Sequence, residues 1–312
     1  MVYVLGEALI DLVSEPGEDG PVRYLAHPGG SPFNVAIGLA RLGRHSRLLA
    51  RLSSDAFGRQ LREHAERNHV DLSLAVTAPE PSTVAVVTLD ADRNASYDFY
   101  RTGTADWQWT EAELARIPDD AGWLHTGSLA SWTEPGAGAI ERRLAELAGR
   151  TVLSFDPNIR PALLGERDAA VARIERLIAR STVVKASAED LAWLYPGEVI
   201  ASTLQRWRAL GPALVVVTDG GAGAHAVAAD DRPFTVPGRP VTVVDTVGAG
   251  DAFMAGLIHA LLSTGLTADS RLSGDQLRPA IDQAMLVAAL TVGRAGANPP
   301  TAAELAAAQH WS

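Results

Sequence analysis

The 312-residue sequence contains no cysteine, which excludes disulfides, a thiolate nucleophile and any metal site built from cysteine. No apolar run approaches the roughly 20 residues that span a bilayer, and the first residues lack the basic segment of a signal peptide. The formal net charge of -10 argues against nucleic acid as a partner, because nucleic-acid binding depends on basic surfaces. We therefore expect a cytoplasmic protein with neither a membrane nor a nucleic acid as its partner.

Lysine is nearly absent as well, since Lys185 is the only one in the chain. A Walker A loop ends in Gly-Lys-Ser or Gly-Lys-Thr, and Lys185 does not lie in such a sequence, which excludes that loop. A dinucleotide-binding fingerprint needs a small residue at the position that Phe253 occupies here, so that site is excluded too. Where the chain binds an anion, we expect arginine to supply the positive charge that lysine cannot.

What the sequence does contain is an alternation of strand-like and helical patterns, with apolar residues making up 47% of the chain. The strand-like runs are residues 3–10, 47–50, 122–125, 151–156, 183–185, 213–218 and 241–244, and helical patterns between them include 137–147 and 167–179. Strand followed by helix, repeated along a chain, is typical of a mainly parallel sheet covered by helices on both faces. The sequence therefore predicts an α/β fold.

One stretch departs from this alternation. Residues 82–90 and 94–101 are joined by three residues, which is typical of an antiparallel hairpin, and residues 12–26 form a further extended segment around a Gly-Glu-Asp-Gly turn. Together they predict a small sheet that stands off the main body. We find no internal repeat, low-complexity tail or linker, so we expect one domain over residues 1–312, with segments of about 12–27 and 82–104 inserted in its α/β core.

Residues 241–256, V-T-V-V-D-T-V-G-A-G-D-A-F-M-A-G, predict a β-branched strand that leads through two glycines into an apolar helix opened by Asp251. Backbone amides at such a helix start have no partner and attract a phosphate. A carboxylate at the same place repels an anion and needs a reason of its own. Asp251 is either a helix cap or the base that takes a proton from an alcohol attacking the phosphate, and the segment alone favours neither.

The run D-T-V-G-A-G-D, residues 245–251, resembles the C-terminal signature of the PfkB, or ribokinase-like, family of sugar and nucleoside kinases. Residues 28–43, P-G-G-S-P-F-N-V-A-I-G-L-A-R-L-G, resemble the N-terminal signature of that family, although a tight turn before an amphipathic helix explains part of the pattern. The resemblance implies a ribokinase-like three-layer fold, ATP and Mg²⁺ as cofactors, and a small β-sheet lid that often forms a homodimer contact. It implies Asp251 as the catalytic base, beside an anion hole at Gly248, Ala249 and Gly250.

Further motifs give the resemblance its detail. Asp11 resembles a family position that accepts hydrogen bonds from sugar hydroxyls, a task that suits a carboxylate. Arg160, in D-P-N-I-R-P, lies where fructokinase-like members place an arginine near the transferred phosphoryl, and a guanidinium can bind two phosphate oxygens at once. Phe33 is expected to narrow the sugar pocket. The other residues expected to position the sugar are Gly29, Gly30, Asn34 and Arg101.

The nucleotide and ion positions rest on weaker motifs. Ser187 and Asp190 stand where the family shows N-x-x-E, associated with magnesium and phosphate, but an N-cap with acids in the first helical turn explains them equally well. The residues that resemble nucleotide-binding positions are Thr218, Gly220 and Gly223, in T-x-G-x-x-G, and Asn298, in the segment that resembles the loop beside the adenine. Family members often bind a monovalent cation, for which the implied ligands are Asp245, Val247 and Gly296, with K⁺ as the candidate.

Together the motifs look most like fructokinases, which implies ATP-dependent phosphorylation of a ketose such as D-fructose. The main rival is a kinase of 2-keto-3-deoxygluconate, whose acidic substrate needs a further cation such as Arg101. A nucleoside kinase is less favoured, because no aromatic clamp stands among the motifs. A sugar- or nucleotide-binding regulator without catalysis stays open too, although loss of catalysis should damage Gly248, Gly250 or Asp251 first.

Overall fold

The structure is a computed structural model that describes residues 1–15, 22–89 and 95–309. The strands are β1 (Val2–Leu5), β2 (Leu9–Glu15), β3 (Arg23–Gly29), β4 (Ser46–Leu49), β5 (Arg51–Ser53), β6 (Val76–Ala78), β7 (Val84–Leu89), β8 (Ala95–Tyr100), β9 (Trp123–Gly127), β10 (Val152–Asp156), β11 (Val183–Ser187), β12 (Leu214–Thr218), β13 (Gly223–Val227) and β14 (Phe234–Pro237). The α-helices are α1 (Ser31–Arg41), α2 (Ala56–Arg67), α3 (Glu111–Leu114), α4 (Ala137–Leu147), α5 (Pro161–Leu164), α6 (Arg167–Ile178), α7 (Ala188–Leu194), α8 (Ile200–Ala209), α9 (Ala249–Leu261), α10 (Gly274–Val292) and α11 (Ala302–Gln309). In these ranges no helix is long and apolar enough to cross a membrane.

The large sheet has the strand order β14-β13-β12-β11-β10-β9-β1-β4. Its pairs from β4 to β12 are all parallel, and β13 and β14 add an antiparallel edge. Side chains alternate between the two faces, since Leu214 and Val216 join one buried cluster with α1, α2, α9 and α10, while Val215 and Val217 join another with α4, α6 and α8. Helices therefore cover both faces, which confirms the predicted three-layer α/β fold.

A small sheet with the order β3-β2-β7-β8 forms beside the large one. Strand β2 pairs antiparallel with β3 and parallel with β7, and β7 and β8 form the expected antiparallel pair. Residues 16–21 and 90–94, which contain the predicted Gly-Glu-Asp-Gly turn and the hairpin turn, lie outside the described residues. The small sheet is thus formed by the segments that the sequence predicts. That the whole chain forms one domain stays a prediction.

The prediction of one strand at residues 3–10 is wrong, because these residues belong to two strands that lie in different sheets. The chain leaves the large sheet after Leu5 and enters the small sheet at Leu9. Gly6 lets the segment between the two strands pack closely against Pro32, since a Cβ there would lie 2.3 Å from Cγ of Pro32. Asp11 therefore belongs to the small sheet and does not end the first strand, contrary to what the sequence pattern indicates.

The predicted strand at residues 241–244 is also wrong. Val241, Val243 and Val244 are 41%, 59% and 60% exposed and lie outside the described strands. A β-branched run forms a strand only where a neighbour covers one of its faces. Here the sheet edge is β14, and Pro237 and Pro240 flank the turn away from it. The segment before α9 is therefore an open loop.

Helix α9 lies between α1 and α10 and buries ten of its 13 residues. Small residues allow the close contact: a Cβ on Gly38 of α1 would lie 2.7 Å from Cβ of Ala255, and a Cβ on Gly256 would lie 2.9 Å from Cβ of Val287 on α10. Because α1 and α9 pack this closely, the side chains at their N-terminal ends can touch. That contact forms the centre of the candidate site.

Candidate active site

A cavity of about 300 Å³ lies between the carboxyl edge of the large sheet, the small sheet and the first turns of α1 and α9. Glu7 and Ser128 reach it from the residues that follow β1 and β9, and Lys185 reaches it from within β11, as expected near the carboxyl edge of a parallel sheet. The predicted site residues that line it are Asp11, Gly30, Asn34, Arg160, Val247, Gly248, Ala249, Gly250 and Asp251. The structure therefore brings residues of four separate motifs to one place.

Asp251 is the third residue of α9 and is only 8% exposed. Its Oδ1 accepts a hydrogen bond from Oγ of Ser31 at 2.6 Å, and its Oδ2 accepts one from Nδ2 of Asn34 at 2.8 Å. The helix cap is Gly248 instead, so the cap interpretation of Asp251 does not hold. Burial raises the pKa of Asp251, and the bonds from Ser31 and Asn34 oppose that rise. The result is a fixed carboxylate that is a better proton acceptor than one in water.

The first turn of α9 presents free backbone donors to the cavity. Gly248 adopts φ 75°, a left-handed conformation that favours glycine, and α9 starts directly after it. The Ala249 amide donates to the Thr246 carbonyl at 3.2 Å, so it is less free than the sequence suggested. Among the described residues, the amides of Gly250 and Asp251 have no backbone acceptor. These two donors, at the positive end of the helix, can bind an anion.

Asp11 reaches the same cavity from β2 and is half-buried. Burial raises its pKa to about 6, with Arg160 lowering it and Asp251 raising it further. A Cβ on Gly29 would lie 2.4 Å from Oδ2 of Asp11. Gly29 does not line the cavity, and its contribution is to leave room for this carboxylate. Asp11 can therefore accept hydrogen bonds from hydroxyl groups in the cavity.

Glu7 is a second carboxyl group at the cavity and is 1% exposed. Its Oε2 accepts a hydrogen bond from the amide of Ala130 at 3.1 Å. Burial raises its pKa from an ordinary 4.5 to about 7, against the effect of hydrogen bonds from Ser128 and Ala130. Near neutral pH, Glu7 is therefore partly protonated and can donate as well as accept.

We expect Glu7→Gln to stabilise the fold at about pH 8 relative to about pH 5. The pKa of Glu7 is raised in the folded state, so the wild type has the full stability of this group below 4.5 and loses it as pH rises through about 7. Glutamine stays neutral at both pH values. The difference in the free energy of unfolding between variant and wild type should shift by roughly 2–3 kcal/mol in favour of the variant.

Urea unfolding of both proteins at the two pH values measures this shift. The exposed Glu66 on α2 provides the matched control, Glu66→Gln, which should show a much smaller shift. A difference between Glu7→Gln and wild type that stays constant with pH, or that moves the other way, is incompatible with a buried, protonatable Glu7.

Two cations line the cavity. Nη1 of Arg160 donates to Oδ1 of Asn158 at 2.7 Å and to the Ile159 carbonyl at 3.0 Å, which leaves the rest of its exposed guanidinium free to bind an anion. Nζ of Lys185 donates to Oδ2 of Asp156 at 2.8 Å. The expectation that lysine supplies no charge here is therefore wrong. Lys185 is the third of the five residues of the parallel strand β11, so it reaches the site without belonging to a glycine-rich loop.

Comparison with known proteins agrees with this geometry. The pfkB family carbohydrate kinase profile matches residues 1–304. The chain belongs to the pfkB family of carbohydrate kinases. A fructokinase from Rhizobium leguminosarum bv. trifolii is 39% identical over 261 residues, which cover 84% of this chain and 79% of the relative. The family resemblance of the two signature motifs is thus confirmed.

Solved structures give the same answer. The kinase resembles a fructokinase from Xylella fastidiosa with bound ATP, at a TM-score of 0.88 and 27% identity over 99% of this chain and 98% of the other. It also resembles a double-mutant fructokinase from Vibrio cholerae O395 bound to fructose, ADP and potassium ion, at a TM-score of 0.84 and 30% identity over 98% and 97% of the two chains. Both likenesses confirm the ribokinase-like fold.

Ser187 and Asp190 of the kinase form the capping box that the sequence left open as an alternative. Oγ of Ser187 accepts from the Asp190 amide at 3.0 Å, and Oδ2 of Asp190 accepts from the Ser187 amide at 2.8 Å. Oδ1 of Asp190 accepts from the amide of Ile159 at 2.7 Å. Asp190 thereby joins the start of α7 to the loop that carries Arg160. Neither Ser187 nor Asp190 lines the cavity of the kinase.

The remaining nucleotide positions lie outside the 300 Å³ cavity. Thr218 ends β12, and its hydroxyl donates to the Ala186 carbonyl at 3.3 Å. Gly220 and Gly223 form the turn into β13, where a Cβ on Gly223 would lie 2.2 Å from the Val236 carbonyl oxygen. Gly223 is therefore required by strand packing, whatever else it does. The amide of Asn298 donates to the Gly296 carbonyl at 2.8 Å.

Asp245 connects the two loops to which the sequence assigned a monovalent cation. Its Oδ1 accepts from the amide of Val247 at 3.0 Å, and its Oδ2 accepts from the amide of Gly296 at 2.8 Å. The three predicted ligand residues are thus neighbours. Asp245 has a structural task here, since it ties the loop before α9 to the loop after α10.

Two expectations about the sugar pocket fail or find no support. Phe33 does not narrow the pocket, because it is 0% exposed in the core of the kinase, where its ring lies 6.0 Å from that of His64. The apolar side of α1 faces the large sheet, and Phe33 lies on it. Arg101 does not line the cavity, and Phe99 of the same segment does.

Sequence reasoning assigned no site role to Glu7, Ser31 or Lys185. Ser31 stands inside the quoted signature, and its distance of three residues from Asn34 puts both on one face of α1, which was a usable signal. The position of Lys185 was a second usable signal, because an unpaired lysine is rarely found in an apolar strand. Glu7 offered none, since its position depends on where the chain changes sheets.

Proposed function

We propose that this kinase transfers the γ-phosphoryl group of ATP to a hydroxyl group of a ketose, D-fructose. The observation that carries the chemistry is the Asp251 carboxylate, held by Ser31 and Asn34 beside the free amides of α9. The fructokinase relatives and the fructose-bound Vibrio structure support the choice of sugar. ATP as phosphoryl donor is supported by the ATP-bound Xylella structure.

The sugar occupies the cavity with the reacting hydroxyl at Asp251. Asp11 accepts hydrogen bonds from two other hydroxyl groups, and Glu7 donates to or accepts from a third. The hydroxyl proton passes to the Asp251 carboxylate as the oxygen forms a bond to the γ-phosphorus. The bond from that phosphorus to the bridging oxygen breaks, and ADP leaves with the electron pair. Positioning dominates, because phosphoryl transfer needs little covalent chemistry from the protein.

Hydrogen-bond donors that are already in place can stabilise the negative charge on the phosphoryl group. The amides of Gly250 and Asp251 point from the positive end of α9, and Arg160 lies on the exposed side of the cavity. Such preorganised donors stabilise a transition state without reorganising during the reaction. The small sheet covers the sugar, so water is kept from the phosphoryl group.

Magnesium fits the residues present only as a largely hydrated ion. Within the described ranges no group of three or more His, Asp or Glu side chains can hold a metal directly, and both oxygens of Asp190 already accept backbone amides. Magnesium in kinases commonly keeps several waters and one or two protein carboxylates. Because Asp190 lies outside the cavity lining, it would reach Mg²⁺ only through water, and the ion would offset phosphate charge. Potassium is present in the Vibrio structure, and here Asp245 and the carbonyls of Val247 and Gly296, which lie close together, would hold it.

The rival substrate is disfavoured by charge placement. A 2-keto-3-deoxygluconate carboxylate needs a cation of its own, and Arg101 does not line the cavity. Arg160 and Lys185 are the cations that line it; Lys185 lies against the first turn of α9, and the charge of Arg160 lowers the pKa values of both Asp11 and Asp251. A neutral ketose leaves no charge unpaired. Loss of catalysis is disfavoured because Asp251 and the α9 amides are intact.

Release of ADP from Mg-ATP, followed with D-fructose, 2-keto-3-deoxygluconate, D-ribose and adenosine in the presence of potassium, tests the proposal. We expect turnover with D-fructose to exceed turnover with the other three by at least about tenfold. A different preferred sugar would overturn the substrate and keep the chemistry. No release of ADP with any of the four substrates would overturn the proposal as a whole.

Assembly through the small sheet stays a prediction. Val22, Tyr24, Leu25 and Tyr100 are 61%, 46%, 45% and 66% exposed there, which is the composition expected of a homodimer contact. A cytoplasmic location and the lack of a nucleic-acid partner also stay predictions from composition.

A further inference from the structure

We propose that Lys185 is a further catalytic residue of this kinase, one that contacts the transferred phosphoryl group, and that Asp156 is the positioning residue that orients its ammonium. The inference rests on the proposed phosphoryl transfer. It adds a buried cation to the groups that meet the phosphate, which already include the exposed Arg160. It also explains why the single lysine of the chain lies in the middle of an apolar sheet.

Geometry carries the proposal. Lys185 lines the cavity, and a Cβ built on Gly250 would lie 2.9 Å from its Nζ. The ammonium therefore lies against the first turn of α9, next to the free amides of Gly250 and Asp251. A lysine has three N–H donors, and in the described part of the chain Asp156 is the acceptor of just one. The other two are available to an anion held by α9.

Burial argues against a merely structural pair. The side chains of Lys185 and Asp156 are 5% and 2% exposed. Removing two charges from water costs about as much as their attraction returns, and apolar residues of similar volume are often as stable. A buried pair whose lysine lines a cavity therefore needs a further reason. Binding a charged ligand supplies one.

The charge of the lysine is preserved in this environment. Burial alone lowers the pKa of Lys185, but the carboxylates of Asp156, Asp190 and Asp251 outweigh burial and raise it. The neighbouring His125 does not compete, because burial and the charge of Lys185 lower its pKa to about 3 and leave it neutral. Lys185 thus presents a fixed positive charge in a site of low dielectric constant, where it acts strongly on developing phosphate charge.

Removing the lysine alone leaves Asp156 buried and unpaired, so Lys185→Met can fail to fold. The decisive protein is the double variant Lys185→Met/Asp156→Asn, which removes both charges and keeps an oxygen for the Asn158 amide that Asp156 now binds at 3.1 Å. We expect it to fold, to bind ADP and D-fructose within about threefold of wild type, and to lose roughly 10²–10³-fold in kcat. Asp156→Asn alone should lose about tenfold, because Nζ keeps its charge but is less well held.

A double variant with kcat within about tenfold of wild type would overturn the proposal, since Lys185 would then only balance Asp156. The loss should also persist from about pH 6 to about pH 9. Recovery at high pH would show that Lys185 acts only through the pKa of Asp251, and would overturn it as well.

A second readout does not need turnover. In wild type, calorimetric titration should show that ADP with aluminium fluoride, Mg²⁺ and D-fructose binds more tightly than ADP alone. In the double variant this gain in affinity should be smaller by a factor of at least about ten. An unchanged gain would overturn the role of Lys185. If wild type does not phosphorylate D-fructose, the substrate proposal fails. The titration can then be repeated without sugar, and it still decides whether Lys185 contacts the phosphoryl position.

Discussion

We expect Asp251→Asn to lower kcat by roughly 10³-fold or more, while ATP and D-fructose still bind. Asparagine keeps an oxygen that can accept from Ser31, so the contact between α1 and α9 is largely preserved. It cannot take the proton of the attacking hydroxyl. It also removes the buried charge, so the fold should not lose stability. Steady-state kinetics and calorimetric binding of each substrate separate the loss of chemistry from the loss of binding.

Asp275 supplies the matched control. It too is an aspartate in the first turn of a helix, α10, but it is exposed and away from the cavity. Asp275→Asn should leave kcat within about twofold of wild type. Asp251→Asn with kcat close to that of wild type would show that another group accepts the proton, and the role of Asp251 would be refuted.

We expect Arg160→Met to lower kcat by about 10²-fold. The guanidinium is held by Asn158 and by the carbonyl of its own neighbour Ile159, and its remaining donors face the cavity. Methionine has a similar length and no charge, so the developing negative charge on the phosphoryl group loses one of its partners. The KM for D-fructose should change less than kcat, because the sugar is neutral. Initial rates over a matrix of ATP and sugar concentrations give both values.

Arg232→Met is the control for this prediction, since Arg232 is exposed in the turn between β13 and β14 and does not line the cavity. Arg160→Lys should fall between the two, because lysine restores the charge but not the two parallel donors of a guanidinium. If Arg160→Met raises only the KM for ATP and leaves kcat unchanged, Arg160 holds the nucleotide and does not act on the transition state.

The layers of the fold were predictable from the sequence, and its exceptions were not. Alternating strands and helices indicated the parallel order, because each strand is buried on both faces and has an apolar sequence. Residues 241–244 have the same composition, but no neighbour covers them, and coverage is a property of the whole fold. The change of sheet after Leu5 was hidden for the same reason, since Val2–Leu5 and the start of Leu9–Glu15 form a nearly continuous apolar pattern in the sequence.

The candidate site divides along similar lines. Asp251, Asn34 and the glycines stand inside local motifs, so their neighbourhood follows from the sequence alone. Lys185 needs the register of parallel strands to bring it next to Gly250, 65 positions later in the chain. For Gly29 and Gly223 the sequence predicted a binding role. In the structure neither glycine lines the cavity, and each leaves room for a neighbouring group.

The most direct test of phosphoryl transfer to the sugar is ³¹P NMR of the wild-type kinase incubated with Mg-ATP and D-fructose. We predict that ADP and a fructose phosphate ester appear in equal amounts, with little inorganic phosphate, because the proposed acceptor is the sugar hydroxyl and not water. ATP consumed with release of inorganic phosphate and no sugar ester, or no consumption of ATP at all, would contradict the assignment of this site to a fructose kinase.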